Sequence, residues 1–179
     1  MEIERKYLVK QLPENLEQYE KAEMEQGYLS TEPVVRVRAE NDAYYLTYKG
    51  SGLLAREEYN LPLTKESYHH LAKKADGILI KKTRYFIPLE GELKTDADGK
   101  HIHSGTLAEL DVFHDDYEGL LLVEVEFDSI KQANAFVAPE WFGEDVTSSG
   151  KYQNSVLSQS GVQSPTEINA PRGCAEICI

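Results

Sequence analysis

Along the first 157 positions, apolar and polar residues alternate with a period of two in many short segments bounded by Gly, Pro, Asn and Asp. That period predicts strands. Residues 1–9 set Ile3, Tyr7 and Val9 against Glu2, Glu4 and Lys6, and residues 34–39 set Val35 and Val37 against Arg36 and Arg38. Residues 43–49 oppose Tyr44, Leu46 and Tyr48 to Tyr45, Thr47 and Lys49, and Asn41-Asp42 supplies a hairpin turn back to the Arg36/Arg38 strand. Further strands are expected over 54–61 with Arg56, Glu58 and Asn60 on one face, 79–87 with Lys82 and Arg84, 107–113 with Glu109 and Asp111, and 121–127 with Glu124 and Glu126.

Helical spacing is sparser. Thr64 is placed to cap a helix running to about Asp76, with Tyr68, Leu71, Ala72 and Ala75 as its apolar stripe. A second helix is expected after Ser129, with Ile130, Ala133, Phe136 and Val137 inward and Pro139 as its stop. Residues 13–22 suggest a third, and 90–105 read as a long polar hairpin or loop. From Ser158 onward neither aromatics nor periodicity persist, so one domain over 1–157 followed by a flexible tail over 158–179 is the expected organisation. The fold class is mainly β (α+β), with amphipathic helices packed on a sheet.

Composition narrows the function. Hydrophobic residues make up 41% and charged residues 28% of the 179 positions, a globular balance. A net charge of −12 argues against broad binding to nucleic acid or anionic lipid. No apolar run approaches the roughly 20 residues of a membrane helix, and Glu2-Ile3-Glu4-Arg5-Lys6 is no export leader, so no membrane partner and a cytoplasmic location are expected. Cys174 and Cys178 are read as reduced thiols of a mobile tail, since a zinc site needs two further ligands.

The strand faces carry the chemistry. Arg36/Arg38 and Lys82/Arg84 are purely cationic pairs, while Glu109/Asp111 and Glu124/Glu126 are purely anionic. Like charges two apart on one strand face repel, so each pair needs a counter-charge, a metal or a ligand. Solvation of separate faces is the plain alternative, but it leaves the ordered like-charge pairs unexplained. Closing the strands into a barrel with these faces inward would bring both signs together, with carboxylates for a divalent cation and Arg and Lys for phosphate oxygens.

In this order the residues resemble the CYTH family, the triphosphate tunnel metalloenzymes. The hallmark Glu-x-Glu-x-Lys matches Glu2-Ile3-Glu4-Arg5-Lys6. It is followed by Gln26-Gly27-Tyr28-Leu29, Val35-Arg36-Val37-Arg38, Leu46-Thr47-Tyr48-Lys49-Gly50, Arg56-Glu57-Glu58-Tyr59, Lys82-Thr83-Arg84-Tyr85, Glu109-Leu110-Asp111, Val123-Glu124-Val125-Glu126-Phe127 and Lys151-Tyr152-Gln153-Asn154.

The resemblance implies a closed eight-stranded antiparallel β-barrel that binds a triphosphate along its axis with Mg²⁺ or Mn²⁺. It implies Glu2, Glu4, Glu124 and Glu126 as metal-site carboxylates, with Glu58, Glu109 and Asp111 completing the acidic lining. Lys6, Arg36, Arg38, Lys49, Lys82, Arg84 and Lys151 form the implied phosphate-binding set, and Glu4, Glu126, Lys6 and Lys49 the implied catalytic groups. Many relatives carry a second glutamate where this chain has Asn60, and the 90–105 insertion lengthens a hairpin at the tunnel mouth.

Hydrolysis of inorganic tripolyphosphate to pyrophosphate and phosphate is the leading expectation, for a monomer or homodimer. The alternatives are an adenylate cyclase, a thiamine- or nucleoside-triphosphatase on the same lining, or a non-catalytic polyphosphate-binding module. Other signals carry less. His101-x-His103 reads as part of the polar insertion, His114-Asp115-Asp116 as a turn, Lys49-Gly50-Ser51-Gly52 lacks P-loop spacing, Ser148-Ser149-Gly150 has no His partner, and Trp141-Phe142 reads as packing.

Overall fold

The computed structural model describes residues 2–89, 93–95, 101–103 and 106–159. Its strands are β1 (Glu2–Val9), β2 (Glu20–Thr31), β3 (Val34–Glu40), β4 (Ala43–Lys49), β5 (Ala55–Arg56), β6 (Glu58–Pro62), β7 (Asp76–Pro88), β8 (Leu93–Thr95), β9 (His101–His103), β10 (Leu107–Phe113), β11 (Leu121–Glu126) and β12 (Phe142–Asp145). Three helices, α1 (Lys65–Ala72), α2 (Ile130–Ala135) and α3 (Asn154–Gln159), accompany them.

The main sheet is antiparallel throughout and runs β12-β1-β11-β10-β7-β2-β3-β4-β6, with β5 returning to pair β1. Because β5 and β6 are two halves of one strand interrupted at Glu57, that return closes an eight-membered ring, as the family resemblance implies. The closure is short. It consists of the rungs Glu2↔Arg56 and Ile3↔Ala55 and the Glu4 amide donating to the Leu54 carbonyl at 3.0 Å. Beyond it β1 turns its edge to β12, which leaves a seam beside β6.

Side chains alternate across the wall. Outward-facing Tyr7, Tyr85, Ile87, Leu110, Val123 and Val125 form a core with Phe142, covered by Phe127, Phe136 and Trp141 of the segment around α2. Inside, Tyr28, Ile80, Phe113 and Leu122 join Val146, Tyr152 and Leu157 of α3 to fill one end of the barrel. The Tyr117 hydroxyl donates to the Leu157 carbonyl there. Gly77 lets α3 come this close: its φ is +70°, and a Cβ would lie 2.0 Å from the Ser158 carbonyl oxygen.

Several expectations shift by local physics. Thr64 caps α1, its hydroxyl accepting from the Ser67 amide at 3.2 Å, but the helix stops at Ala72 because β7 begins at Asp76. Residues 13–22 are no helix: one 3-10 turn at Leu16–Gln18 leads into β2, which pairs with both β3 and β7. Ser129 caps α2 and Ala133 is buried, but Ile130 and Val137 face out, at 47% and 86% exposure, because the helix ends before the full stripe can turn inward. Residues 90–105 contribute the β8–β9 hairpin, and α3 carries regular structure to Gln159, past the expected boundary at Leu157. The remainder of the tail, with Cys174 and Cys178, lies outside the described residues.

Candidate active site

Alternation along the closed wall aims one face of every barrel strand inward. β1 contributes Glu2, Glu4 and Lys6, β3 Arg36 and Arg38, β4 Thr47 and Lys49, and β5–β6 Arg56, Glu58 and Asn60; Arg84, Glu109, Glu124 and Glu126 come from β7, β10 and β11. They line a cavity of about 2070 Å³. Register decides who meets whom: Glu4 faces Glu126, Lys6 faces Glu124, Glu109 faces Glu124, and Lys49 faces Glu58.

Arg84 is the hub of the deep end. Its guanidinium grips Asp111 with Nε and Nη2, both at 2.7 Å, reaches Glu124 at 2.6 Å and also binds Glu109. Burial opposes its charge, but Asp111, Glu109 and Glu124 outweigh burial and hold it firmly protonated. Lys82 pairs with Asp111, and both are essentially inaccessible, at 1% and 0% exposure, beneath the cavity lining. Burial first, and Arg84 second, pull the Lys82 ammonium down to about 8. Glu124 is held well below the usual carboxylate range: burial works against its charge, and Lys6 at 2.7 Å, Arg84 and Lys82 overcome it.

A second ion-pair set lies where the ring closes. Glu2 accepts from Lys49 at 2.7 Å and from Arg56 at 2.8 Å, Arg56 also reaches Glu4 at 3.1 Å, and Lys49 reaches Glu58 at 2.6 Å. Asn60 belongs to this network. It donates to Glu58 at 2.8 Å and accepts from Thr47 at 2.6 Å, so it orients a carboxylate instead of adding one.

Two groups are left over. Glu126 has no cation partner among the described residues, and its carboxyl is pushed up to about 8 by enclosure, then by the charges of Glu109 and Glu2. It opens to cavity water, so screening trims the effect of enclosure. Across the barrel, Arg36 is 4% exposed with no carboxylate partner among the described residues, and its Nε makes no hydrogen bond. Arg38 also has an unpartnered Nε and only Glu40, at 3.8 Å, for company. Burial, with Arg36 and Arg84 nearby, pulls the Arg38 guanidinium down to about 10. Two guanidiniums on one strand face, with only Glu40 at 3.8 Å as a carboxylate partner among the described residues, suit the oxygens of an anion.

Most of the expected site residues thus line one cavity; Lys82 and Asp111 lie beneath it, Lys151 lies outside it, and Arg56 is an addition. Lys151 is exposed, its Nζ 5.4 Å from the Tyr152 ring centroid, and does not line the cavity. Arg56 was expected only as a face-mate of Glu58, yet it bridges Glu2 and Glu4. Alternation could identify its face but not its partners on a strand more than 50 residues away.

A family model described as CYTH domain matches residues 1–146. The chain belongs to the CYTH domain family. Among its relatives, an inorganic triphosphatase of Nitrosomonas europaea is 37% identical over 89% of this chain and 97% of its own length. One of Acetivibrio thermocellus, also an inorganic triphosphatase, is 34% identical over 74% of this chain and 77% of its own. The crystal structure of the inorganic triphosphatase NE1496 superposes with a TM-score of 0.61 at 34% identity, covering 89% of this chain and 95% of that one. CYTH triphosphatases are metal-dependent as a class.

Proposed function

We propose that this chain hydrolyses inorganic tripolyphosphate to pyrophosphate and orthophosphate, using Mg²⁺ or Mn²⁺ held by carboxylates of the barrel wall. The observation that carries the reading is the meeting on one cavity of a carboxyl without a cation partner among the described residues, Glu126, and the guanidiniums of Arg36 and Arg38. The inorganic triphosphatase relatives support the substrate.

The residues fit a hard divalent ion. All candidate ligands are carboxylate oxygens, and Glu126 stands among Glu2, Glu4 and Glu109 with no cation of its own. Glu2, Glu4, Glu124 and Glu126 would hold the ion, with Glu58 and Glu109 at the edge of the set. When bound, it supplies Lewis-acid polarisation of phosphoryl oxygens and lowers the pKa of a bound water.

The chain's own groups do the rest. Arg36 and Arg38 clamp phosphate oxygens, and Lys6 and Lys49 balance charge that develops as the terminal phosphoryl group leaves. Water oxygen attacks the terminal phosphorus in line, the bond to the bridging oxygen breaks with its electron pair going to pyrophosphate, and the water proton passes to a carboxylate, Glu4 or Glu126. Lys82 and Asp111 act from beneath, holding the Arg84 hub.

The reading calls for a small triphosphate ligand and no nucleic acid or membrane partner. Among the described residues no helix is long and apolar enough to cross a membrane. Action in the cytoplasm is part of the proposal. The test is a panel of tripolyphosphate, ATP and thiamine triphosphate with Mg²⁺ or Mn²⁺. Preferred cleavage of tripolyphosphate supports it, and cyclic AMP from ATP or binding without turnover overturns it.

A further inference from the structure

Glu2 and Glu4 occupy the acidic end of the cavity, and both are already engaged by Arg56. Its Nε lies 2.8 Å from Glu2 Oε2 and its Nη2 3.1 Å from Glu4 Oε1, with the side chain only 12% exposed. One guanidinium thus spans two carboxylates, much as a divalent ion would. Glu126, directly opposite Glu4, has no cation partner among the described residues.

The backbone beneath Arg56 is the least tied part of the ring. β5 is two residues long, holds β1 by two rungs, is cut from β6 at Glu57, and follows a loop in which Gly52 has φ +125°. Arg56 can therefore withdraw without opening the β1–β11 or β4–β6 ladders, each of which carries five rungs.

We infer that Arg56 is a positioning residue that serves as an internal counter-cation: it holds Glu2 and Glu4 together in the metal-free protein, gives them up when a divalent cation binds, and then turns its charge toward the phosphates. The inference rests on the metal-dependent reading above. It has a thermodynamic consequence. A divalent ion that displaces one guanidinium adds its own charge to the cavity and leaves the charge of the arginine free to face the phosphates, so cation and polyanion binding reinforce each other.

The test is Mn²⁺ affinity of the substrate-free protein, read by calorimetry and by the electron paramagnetic resonance of free Mn²⁺, for wild type, Arg56→Gln and Arg56→Lys. Removing a competing cation should tighten Mn²⁺ binding in Arg56→Gln by about 5-fold or more, with Arg56→Lys between it and wild type. Metal-free Arg56→Gln should also melt below wild type and close most of that gap at saturating Mn²⁺. Equal or weaker Mn²⁺ affinity in Arg56→Gln, or a melting deficit that Mn²⁺ leaves untouched, overturns the inference and makes Arg56 a permanent structural pair. Should Arg56→Gln fail to fold, Arg56→Lys decides: tighter binding supports the inference, and unchanged or weaker binding overturns it. Wild type that cleaves tripolyphosphate while the variants bind Mn²⁺ no more tightly sinks only the role of Arg56. Wild type that binds no Mn²⁺ sinks the metal-dependent reading with it.

Discussion

Glu4 and Glu126 stand directly opposite each other across the β1–β11 ladder, and among the described residues only Glu4 has a cation, the Arg56 guanidinium at 3.1 Å. A pair of facing carboxyls, one of them without a cation, is a place for a divalent ion that displaces the proton. Glu126→Gln should therefore keep the fold, by circular dichroism, and lose about 100-fold or more of metal-dependent phosphate release. Activity within a few-fold of wild type would remove Glu126 from the metal site.

The same carboxyl sets a pH dependence in the metal-free protein. Its folded pKa is raised from the ordinary 4.5 to about 8. Between those values the folded protein keeps a proton that the unfolded chain has lost, so this group's contribution to stability falls as pH rises through the window. Cavity water reduces the slope. Urea unfolding of metal-free protein between pH 5 and pH 8 should show wild type losing stability relative to Glu126→Gln. Mn²⁺ affinity should rise over the same range, because the proton must leave.

Two arginines of one lining should behave oppositely. Arg36 makes no ion pair among the described residues and its Nε makes no hydrogen bond, so Arg36→Ala should leave thermal stability unchanged or higher while kcat/KM for tripolyphosphate falls about 100-fold. Arg84 neutralises Asp111, Glu109 and Glu124, so Arg84→Ala should cost about 3–5 kcal/mol of stability, the cost of unpairing buried charge. Denaturation curves of the two variants side by side give the answer.

Gly77 admits α3 to the end of the barrel, and the atom a Cβ would strike is the main-chain oxygen of Ser158. Gly77→Ala should destabilise by about 1–3 kcal/mol. Because the clash is with backbone, Ser158→Gly should not relieve it. Relief in the double variant, measured by thermal melts, would place the strain elsewhere.

How much of this was written in the sequence differs from strand to strand. β1, β3, β4 and β10 read directly from alternation, because polar or charged residues on their inner faces alternate with mostly apolar ones on their outer faces. β2 did not, since Glu20-Lys21-Ala22-Glu23-Met24-Glu25 is rich in helix formers and its inner residues Ala22, Met24, Gln26 and Tyr28 carry no charge. Tertiary pairing on both edges overrides that propensity. β12, four residues long, has too few positions to establish a period. In the site, alternation and family order marked Glu2, Glu4, Glu126, Arg36 and Arg38, but depth is a property of the closed barrel. That is why Lys82 and Asp111 lie under the lining, Lys151 lies outside it, and the fork of Arg56 onto Glu2 and Glu4 is visible only in three dimensions.

Phosphorus NMR of purified protein mixed with tripolyphosphate and Mg²⁺ or Mn²⁺ bears most directly on the claim that this barrel is an inorganic triphosphatase. One orthophosphate and one pyrophosphate should appear for each tripolyphosphate consumed, with no turnover in excess chelator and none in Glu126→Gln. Tripolyphosphate that persists with either metal, or is consumed equally in chelator, would contradict it.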